Sequence, residues 1–362
     1  MSNLNEKNAK LIIQAENAIA LLFLLNDKNL KGKIDLIYID PPFATNNHFT
    51  ITNGRATTIS NSKNGDIAYS DKVVGMDFIE FLKQRLVLLK ELLSEQGSIY
   101  VHTDCKIGHY VKVMLDEIFG IQNFRNEITR IKCNPKNFKR MGYGNIKDMI
   151  LFYSKGKNPI FNEPKIPYTP QDLEKRFPKI DKDKRRYTTV PIHAPGEVES
   201  GECSKAFKGM LPPKGRHWRT DVATLERWDK EGLIEYSNNN NPRKKIYALE
   251  QVGKRVQDIW EFKDPQYPSY PTEKNAQLLD LIIKTSSNKD SIVLDCFCGS
   301  GTTLKSAFLL QRKFIGIDNS CLAIQACKNK LETTAKDLFV SQNFYDFLVF
   351  KIVLGQDNSN KT

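Results

Sequence analysis

Two short stretches carry residue types whose spacing could do chemistry. At 40–43 the chain reads Asp-Pro-Pro-Phe, directly after the apolar, β-branched run Ile34-Asp-Leu-Ile-Tyr-Ile39. Runs of this kind are buried in parallel sheets, and proline ends their hydrogen-bond ladder. The rigid Pro41 and Pro42 freeze the backbone, so the Asp40 carboxylate and the Pro41 carbonyl leave the sheet edge together. Phe43 offers a flat apolar face beside them. Two acceptors next to a stacking platform suit a planar base that carries an exocyclic amine. The same tetrapeptide also makes an ordinary stiff turn, and by itself it leaves both readings open.

The second stretch is Ile292-Val-Leu-Asp-Cys-Phe-Cys-Gly-Ser-Gly-Thr-Thr-Leu304. An apolar strand runs into Gly299-Ser300-Gly301 and then directly into a helix opened by Thr302 and Thr303. This arrangement sets backbone amides and a helix N-terminus at the carboxyl edge of a sheet. Glycine lets a ligand approach the backbone with no Cβ in the way. A further strand, Phe314-Ile-Gly-Ile-Asp318, puts an acidic group 23 residues after Asp295, about where an adenosine ribose is held by its two hydroxyls. The pattern reads as a nucleoside-cofactor site. His102 and His109 lie seven residues apart across a strand end and a helix start, so they read as structural, and no metal is expected.

These motifs need elements to hold them. Strands are expected at 10–13, 34–39, 97–102, 291–295 and 313–317, and helices at 15–25, 76–93, 108–119, 276–283, 302–310 and 322–333. A strand pair is expected at 127–132 and 148–154. Residues 43–75, rich in Asn, Thr, Ser and Gly, read as a long mobile loop. From 155 to 258 little periodicity is visible among many Pro, Lys and Arg and scattered aromatics. The alternation of strand and helix at both ends of the chain predicts an α/β fold. Its core is a doubly wound, mostly parallel Rossmann-like sheet built from 1–154 and 259–350, with a basic insertion at 155–258 and a tail at 351–362.

Composition narrows the partners. The 362 residues are 40% apolar and 27% charged, as in an ordinary globular protein. The longest apolar run, 18–25, is far short of a bilayer span. The first residues, Met-Ser-Asn-Leu-Asn-Glu-Lys, lack a signal-peptide pattern, and seven unpaired-looking cysteines suggest reduced thiols in a cytoplasm. Net charge is +12, and residues 125–260 carry 29 basic and 17 acidic side chains, the whole excess. That block reads either as a solvated surface or as a face for a polyanion.

Together the two motifs resemble the S-adenosylmethionine-dependent amino-methyltransferases of bacterial DNA, which methylate adenine N6 or cytosine N4. Asp40-Pro41-Pro42-Phe43 is similar to that family's catalytic tetrapeptide, and 295–303 to its cofactor loop. The order, catalytic motif first and basic insertion between, resembles the β class. The stretch Pro271-Thr272-Glu273-Lys274-Asn275 resembles the family's Pro-Thr-Gln-Lys-Pro, which closes over the methionine end of the cofactor. Arg125-Asn-Glu-Ile128 and Gly97-Ser-Ile-Tyr-Val-His102 extend the likeness, which covers about 10–154 and 258–335. The chain departs from the pattern at Cys296 and Cys298 (commonly Pro and Ala), at Asn275, at Ala15-Glu16 (commonly Gly-Asp) and at Phe43 (commonly Tyr). The two cysteines read as small packing residues.

The resemblance implies S-adenosylmethionine as cofactor, with Glu16, Thr272, Lys274, Asp295, Phe297, Gly299, Ser300, Gly301, Thr302, Thr303 and Asp318 as its binding residues. It implies double-stranded DNA as partner, with a flipped target base stacked on Phe43 and residues 44–75 as a lid. The insertion becomes a target-recognition region, in which Arg185, Arg186, Lys214, Arg216, Arg219, Arg243, Lys244 and Lys245 are the nucleic-acid-binding candidates. Asp at the first motif position favours adenine N6 over cytosine N4. A catalytically silent DNA-binding subunit and an RNA or protein amide methyltransferase are the readings from other classes. A homodimer and a cognate restriction endonuclease are partners the resemblance leaves open, with a cytoplasmic location at the nucleoid.

Overall fold

The structure, a computed structural model, describes residues 10–26, 30–42, 48–52, 55–56, 66–70, 76–135, 137, 139, 141–250, 253–266, 273–337 and 347–352. The chain divides into two units, Met1–Pro164 with Gln257–Thr362, and Lys165–Val256.

In the first unit β1 (Lys10–Gln14), α1 (Asn17–Asn26) and β2 (Ile34–Ile39) precede α2 (Met76–Leu92), β3 (Leu93–Thr103), α3 (Gly108–Phe119), β4 (Phe124–Ile131) and β5 (Lys147–Ser154). After the second unit come β6 (Ile259–Trp260), α4 (Ala276–Ser286), β7 (Ile292–Asp295), α5 (Thr302–Leu309), β8 (Lys313–Asp318), α6 (Cys321–Asp337) and β9 (Leu348–Lys351). These strands form one sheet in the order β6-β4-β5-β3-β2-β7-β8-β1-β9. Only β5 runs against its neighbours in that sheet. The expected α/β architecture, a mostly parallel sheet drawn from both ends of the chain, is the one observed.

The apolar strand runs supply the reason. Leu11, Ile12 and Ile13, Leu36 to Ile39, Val293 and Leu294, and Ile315 and Ile317 are all buried, as strands covered on both faces must be. Phe78, Leu82, Leu86 and Leu89 recur at helical spacing on α2 and are buried in the same core. Asn275, where the resemblance expects proline, is the N-cap of α4: its side-chain oxygen accepts from the amides of Gln277 and Leu278.

Two expectations need correction. Within 43–75, the backbone of His48–Thr52, Arg55–Ala56 and Asp66–Ser70 forms a three-stranded antiparallel sheet. The Asn, Thr, Ser and Gly around these short strands hid them in the sequence. The other residues of 43–75 lie outside those described.

The insertion, too, is more regular than its sequence suggests. The second unit holds a four-stranded antiparallel sheet in the order Lys179–Ile180, Arg186–Pro191, Pro242–Tyr247, Ile234–Tyr236. Helices Pro170–Arg176 and Val222–Lys230 accompany it. Its small core is Ile192, Phe207, Trp218, Leu225 and Ile234. Strands of two to six residues around so few apolar side chains leave no readable period.

Candidate active site

Register sets three carboxylates at one sheet edge. Leu294 on β7 pairs with Ile37 on β2 and with Ile315 on β8, so the carboxyl ends of three adjacent parallel strands lie side by side. Asp295 and Asp318 end β7 and β8, and Asp40 follows β2 directly. Ligands of open α/β sheets bind at such an edge.

The loop after β7 is shaped from within. Asp295 Oδ1 accepts from the Phe297 amide at 3.0 Å, and Oδ2 accepts from the Thr303 hydroxyl at 2.6 Å. Burial pushes the Asp295 carboxyl up to about 7, against the pull of those two donors. Asp318 Oδ2 accepts from the Gly299 amide at 2.9 Å and Oδ1 from the Ser320 amide at 2.8 Å. Burial raises its carboxyl as well. Gly301 has φ +78°, and a Cβ there would sit 2.3 Å from Cys327 Sγ. Glycine is therefore required twice over, by backbone conformation and by space. Lys330 on α6 donates to the hydroxyls of Ser300 (2.9 Å) and Thr302 (3.1 Å) and pairs with Glu273. Nothing in the sequence spacing pointed to Lys330.

Glu16 and Phe297 are joined by a chain of contacts. The Glu16 carboxylate pairs with Arg85 and accepts from the Ile19 amide at 3.1 Å. Arg85 also donates to Asn17 Oδ1 and lies over the Phe81 ring. Phe81 is 6.3 Å from Phe297, and Asn17 donates to the Cys296 carbonyl at 3.4 Å. Cys296 and Cys298 are buried. This loop offers a backbone bare of side chains at Gly299 and Gly301, amides at the start of α5, and an acidic pair, which fits a nucleoside group.

Asp40 is 17% exposed at its side chain, and its two oxygens differ. Lys274 Nζ lies 2.6 Å from Oδ2, so the structure brings Lys274 onto Asp40. Oδ1 is buried, and among the described residues no donor reaches it. A buried acceptor left unpaired costs about 1–3 kcal/mol, so its presence needs a reason. Pro41 is buried and Pro42 partly so. Phe43 and Thr272 lie outside the described residues.

Behind Asp40 a line of buried polar side chains crosses four adjacent strands. His102 Nδ1 on β3 is 3.9 Å from Asp40 Oδ1 and 2.9 Å from the Tyr38 hydroxyl on β2. His102 Nε2 is 3.3 Å from Asp148 Oδ2 on β5. Asp148 Oδ1 accepts from Lys132 at 2.7 Å, and Arg130 on β4 lies 3.5 Å from Oδ2. Arg130 donates in turn to the Phe262 carbonyl (2.7 Å) and to Asp264. Tyr38, His102, Asp148 and Arg130 are each at most 3% exposed. Burial lowers the His102 pKa, with Lys274 adding to that and Asp148 and Asp40 opposing it. Burial would raise Asp148, but hydrogen bonds from His102 and Lys132 hold it well below the usual carboxylate range. Partners 16 to 134 residues apart in sequence left no motif to find.

In the second unit most basic candidates already have partners. Arg185 pairs with Asp181 and Asp183, and Arg186 with Glu174. Arg216 and Arg219 reach the ring and carbonyl of His193. Arg243 donates twice to Thr189, Lys244 lies over the Trp228 ring, and Lys245 donates to the Gly232 carbonyl. Lys214 is exposed.

Comparison with known proteins fits this arrangement. M.EcaI, a type II methyltransferase of Enterobacter cloacae, is 41% identical over 317 residues, 86% of this chain and 67% of that one. The Mod subunit of the type III restriction-modification enzyme StyLTI of Salmonella typhimurium is 24% identical, over 92% of this chain and 57% of its own. The chain spans between 50% and 67% of the length of the first three such relatives. The crystal structure of M1.HpyAVI superposes with a TM-score of 0.47 at 17% identity, covering 89% of this chain and 98% of that one. The DNA methylase family of N6/N4 methyltransferases matches residues 34–329, and the chain belongs to that family.

Proposed function

We propose that the chain transfers a methyl group from S-adenosylmethionine to the N6 amine of a flipped adenine in double-stranded DNA. The observation that carries this is the buried Oδ1 of Asp40 beside the glycine loop, which no donor reaches among the described residues. An acceptor without a donor, at the edge where a nucleoside cofactor fits, suits an incoming N–H. Asp at this position, which the family resemblance associates with adenine, supports adenine over cytosine.

Bound S-adenosylmethionine supplies a methyl already activated on a sulfonium centre. The chain then has to align rather than activate. An aromatic amine is a weak nucleophile because its lone pair is spread into the ring. An N–H bond to Asp40 Oδ1 draws the nitrogen toward a pyramidal shape with its lone pair free. Lys274 holds the other oxygen, so the carboxylate cannot turn away. Gly299, Gly301 and Asp318 hold the nucleoside, and Phe43 takes over the stacking that the flipped base loses. Residues 44–75 act as the lid. The second unit reads the target, with its basic side chains on phosphates and base edges.

The test is transfer of labelled methyl to unmethylated DNA, digested and separated into nucleosides. N6-methyladenine is expected; N4-methylcytosine overturns the base assignment, and cofactor binding without labelled DNA overturns the acceptor. Asp40→Ala is expected to remove transfer while changing cofactor Kd less than about threefold. Loss of both together would mark Asp40 as structural.

A further inference from the structure

We propose that Lys330 is a positioning residue for methyl transfer. It ties residues 273–274 to the cofactor loop, and with them the grip of Lys274 on Asp40. The purpose of the tie rests on the methyl-transfer reading, and the tie itself on geometry.

A lysine ammonium carries three N–H donors. Those of Lys330 have three acceptors: the hydroxyls of Ser300 (2.9 Å) and Thr302 (3.1 Å), and the Glu273 carboxylate. One side chain on α6 thus joins the glycine loop, the first residue of α5 and the stretch ahead of α4. The Lys330 and Glu273 side chains are each 15% exposed, so solvent screens this pair far less than a surface one. Glu273 is followed by Lys274, whose Nζ lies 2.6 Å from Asp40 Oδ2. Asn275 comes next, with its oxygen capping α4 and its Nδ2 donating to the Lys263 carbonyl at 2.9 Å. Three consecutive side chains therefore pin this stretch, and the Glu273 pin is the one shared with the cofactor loop.

The sharing matters because Lys274 reaches Asp40 on a flexible four-carbon stem. Its hold on the carboxylate is only as firm as the backbone it springs from. Transfer between aligned groups is sensitive to placement, and a shift of about 1 Å can cost on the order of a hundredfold in rate. Glu273 fixes that backbone against the same ammonium that holds Ser300 and Thr302. The loop that holds the cofactor and the carboxylate that receives the amine are thereby set against each other, through Lys330, Glu273 and Lys274.

The decisive variant is Glu273→Ala, which cuts the tie and leaves Lys330 on Ser300 and Thr302. A fall in kcat of tenfold or more is expected, with S-adenosylmethionine Kd within threefold. Lys330→Met also takes the donor from the two hydroxyls, so there kcat falls and Kd rises together. In a Lys274→Met background the further change Glu273→Ala should cost less than threefold, because its effect passes through Lys274. A full tenfold loss in that background overturns the proposal, as does E273A with kcat within twofold of wild type. A second readout needs no turnover: the rate at which acetic anhydride acylates Lys274 in ligand-free protein, mapped by mass spectrometry. The Lys274 side chain is 12% exposed and paired with Asp40. E273A should label it at least fivefold faster, with the exposed Lys147 unchanged as the internal reference. Equal labelling of Lys274 in E273A and wild type overturns the proposal, and this arm decides even if K330M does not fold. A wild type that methylates no DNA would sink the functional reading instead, and the labelling rates would still decide whether the tie holds Lys274 on Asp40.

Discussion

Asp295 is an acid that burial keeps partly protonated at neutral pH, and the consequence is a stability term of unusual sign. Its carboxyl sits at about 7 when folded, against about 3.9 in an unfolded chain. Between those values the folded state binds a proton that the unfolded state has released, so stability falls as pH rises through that window. Asp295→Asn cannot titrate and retains an oxygen for the Phe297 amide. The Tm of D295N relative to wild type should therefore climb by several degrees from pH 5 to pH 7.5; a constant difference would show that Asp295 does not titrate in this range. At this scale the sequence was informative where chemistry is local. Asp40, Asp295 and Asp318 announce themselves because each ends a strand or follows one directly, Asp40 before two prolines, Asp295 ahead of the glycine loop and Asp318 at the ribose spacing from Asp295. The partners of His102, which reads as structural and is buried and hydrogen-bonded, were silent, as were Lys330, Arg130 and Asp148. Their roles come from partners on other strands and helices, which spacing along one strand does not encode.

Most strands and helices of the large sheet were legible to within four residues, because runs such as Ile34–Ile39 and the stripe on α2 are buried through and through, but the short strands β6 and β9 were not expected. The sheet at 48–70 and the strands of the second unit were not legible either, since a strand of two to six residues has too few positions to show a period. One element-level feature is directly testable. The turn from β7 into α5 depends on Gly301 in a left-handed conformation against Cys327. Gly301→Ala should cost about 1–3 kcal/mol from backbone conformation alone, with the clash added. Adding Cys327→Ala should remove the 2.3 Å contact with Sγ and leave the conformational part with the milder 3.1 Å contact to Cβ. Thermal unfolding of the single and double variants separates the two, and full recovery in the double variant would show that conformation is not at issue.

The basic excess, which the sequence presented as one central block, is divided between the two units. Residues 165–256 carry 20 basic and 13 acidic side chains, and residues 125–164 carry nine and three. Within the latter, 132–147 holds five basic residues and no acidic one. That segment leaves β4 at its carboxyl end, the edge that also carries Asp40. Its Lys139 and Lys147 are exposed. Replacing both with Gln should lower the slope of log K against log salt for DNA by about 1–2, at roughly 0.9 for each phosphate that is no longer neutralised. An unchanged slope would confine DNA binding to the second unit. The order of the strands has a last consequence, for how the chain reaches this state. β1 lies between β8 and β9, and β7 separates β2 from β8. On a ribosome, the first apolar strand waits some 300 residues for a neighbour. Such high contact order slows folding and leaves unpaired edges exposed during synthesis. The sheet edge that holds the chemistry is thus completed only after β8 has been made, and among the described strands a nascent chain stopped before residue 313 has no neighbour on either side of β1.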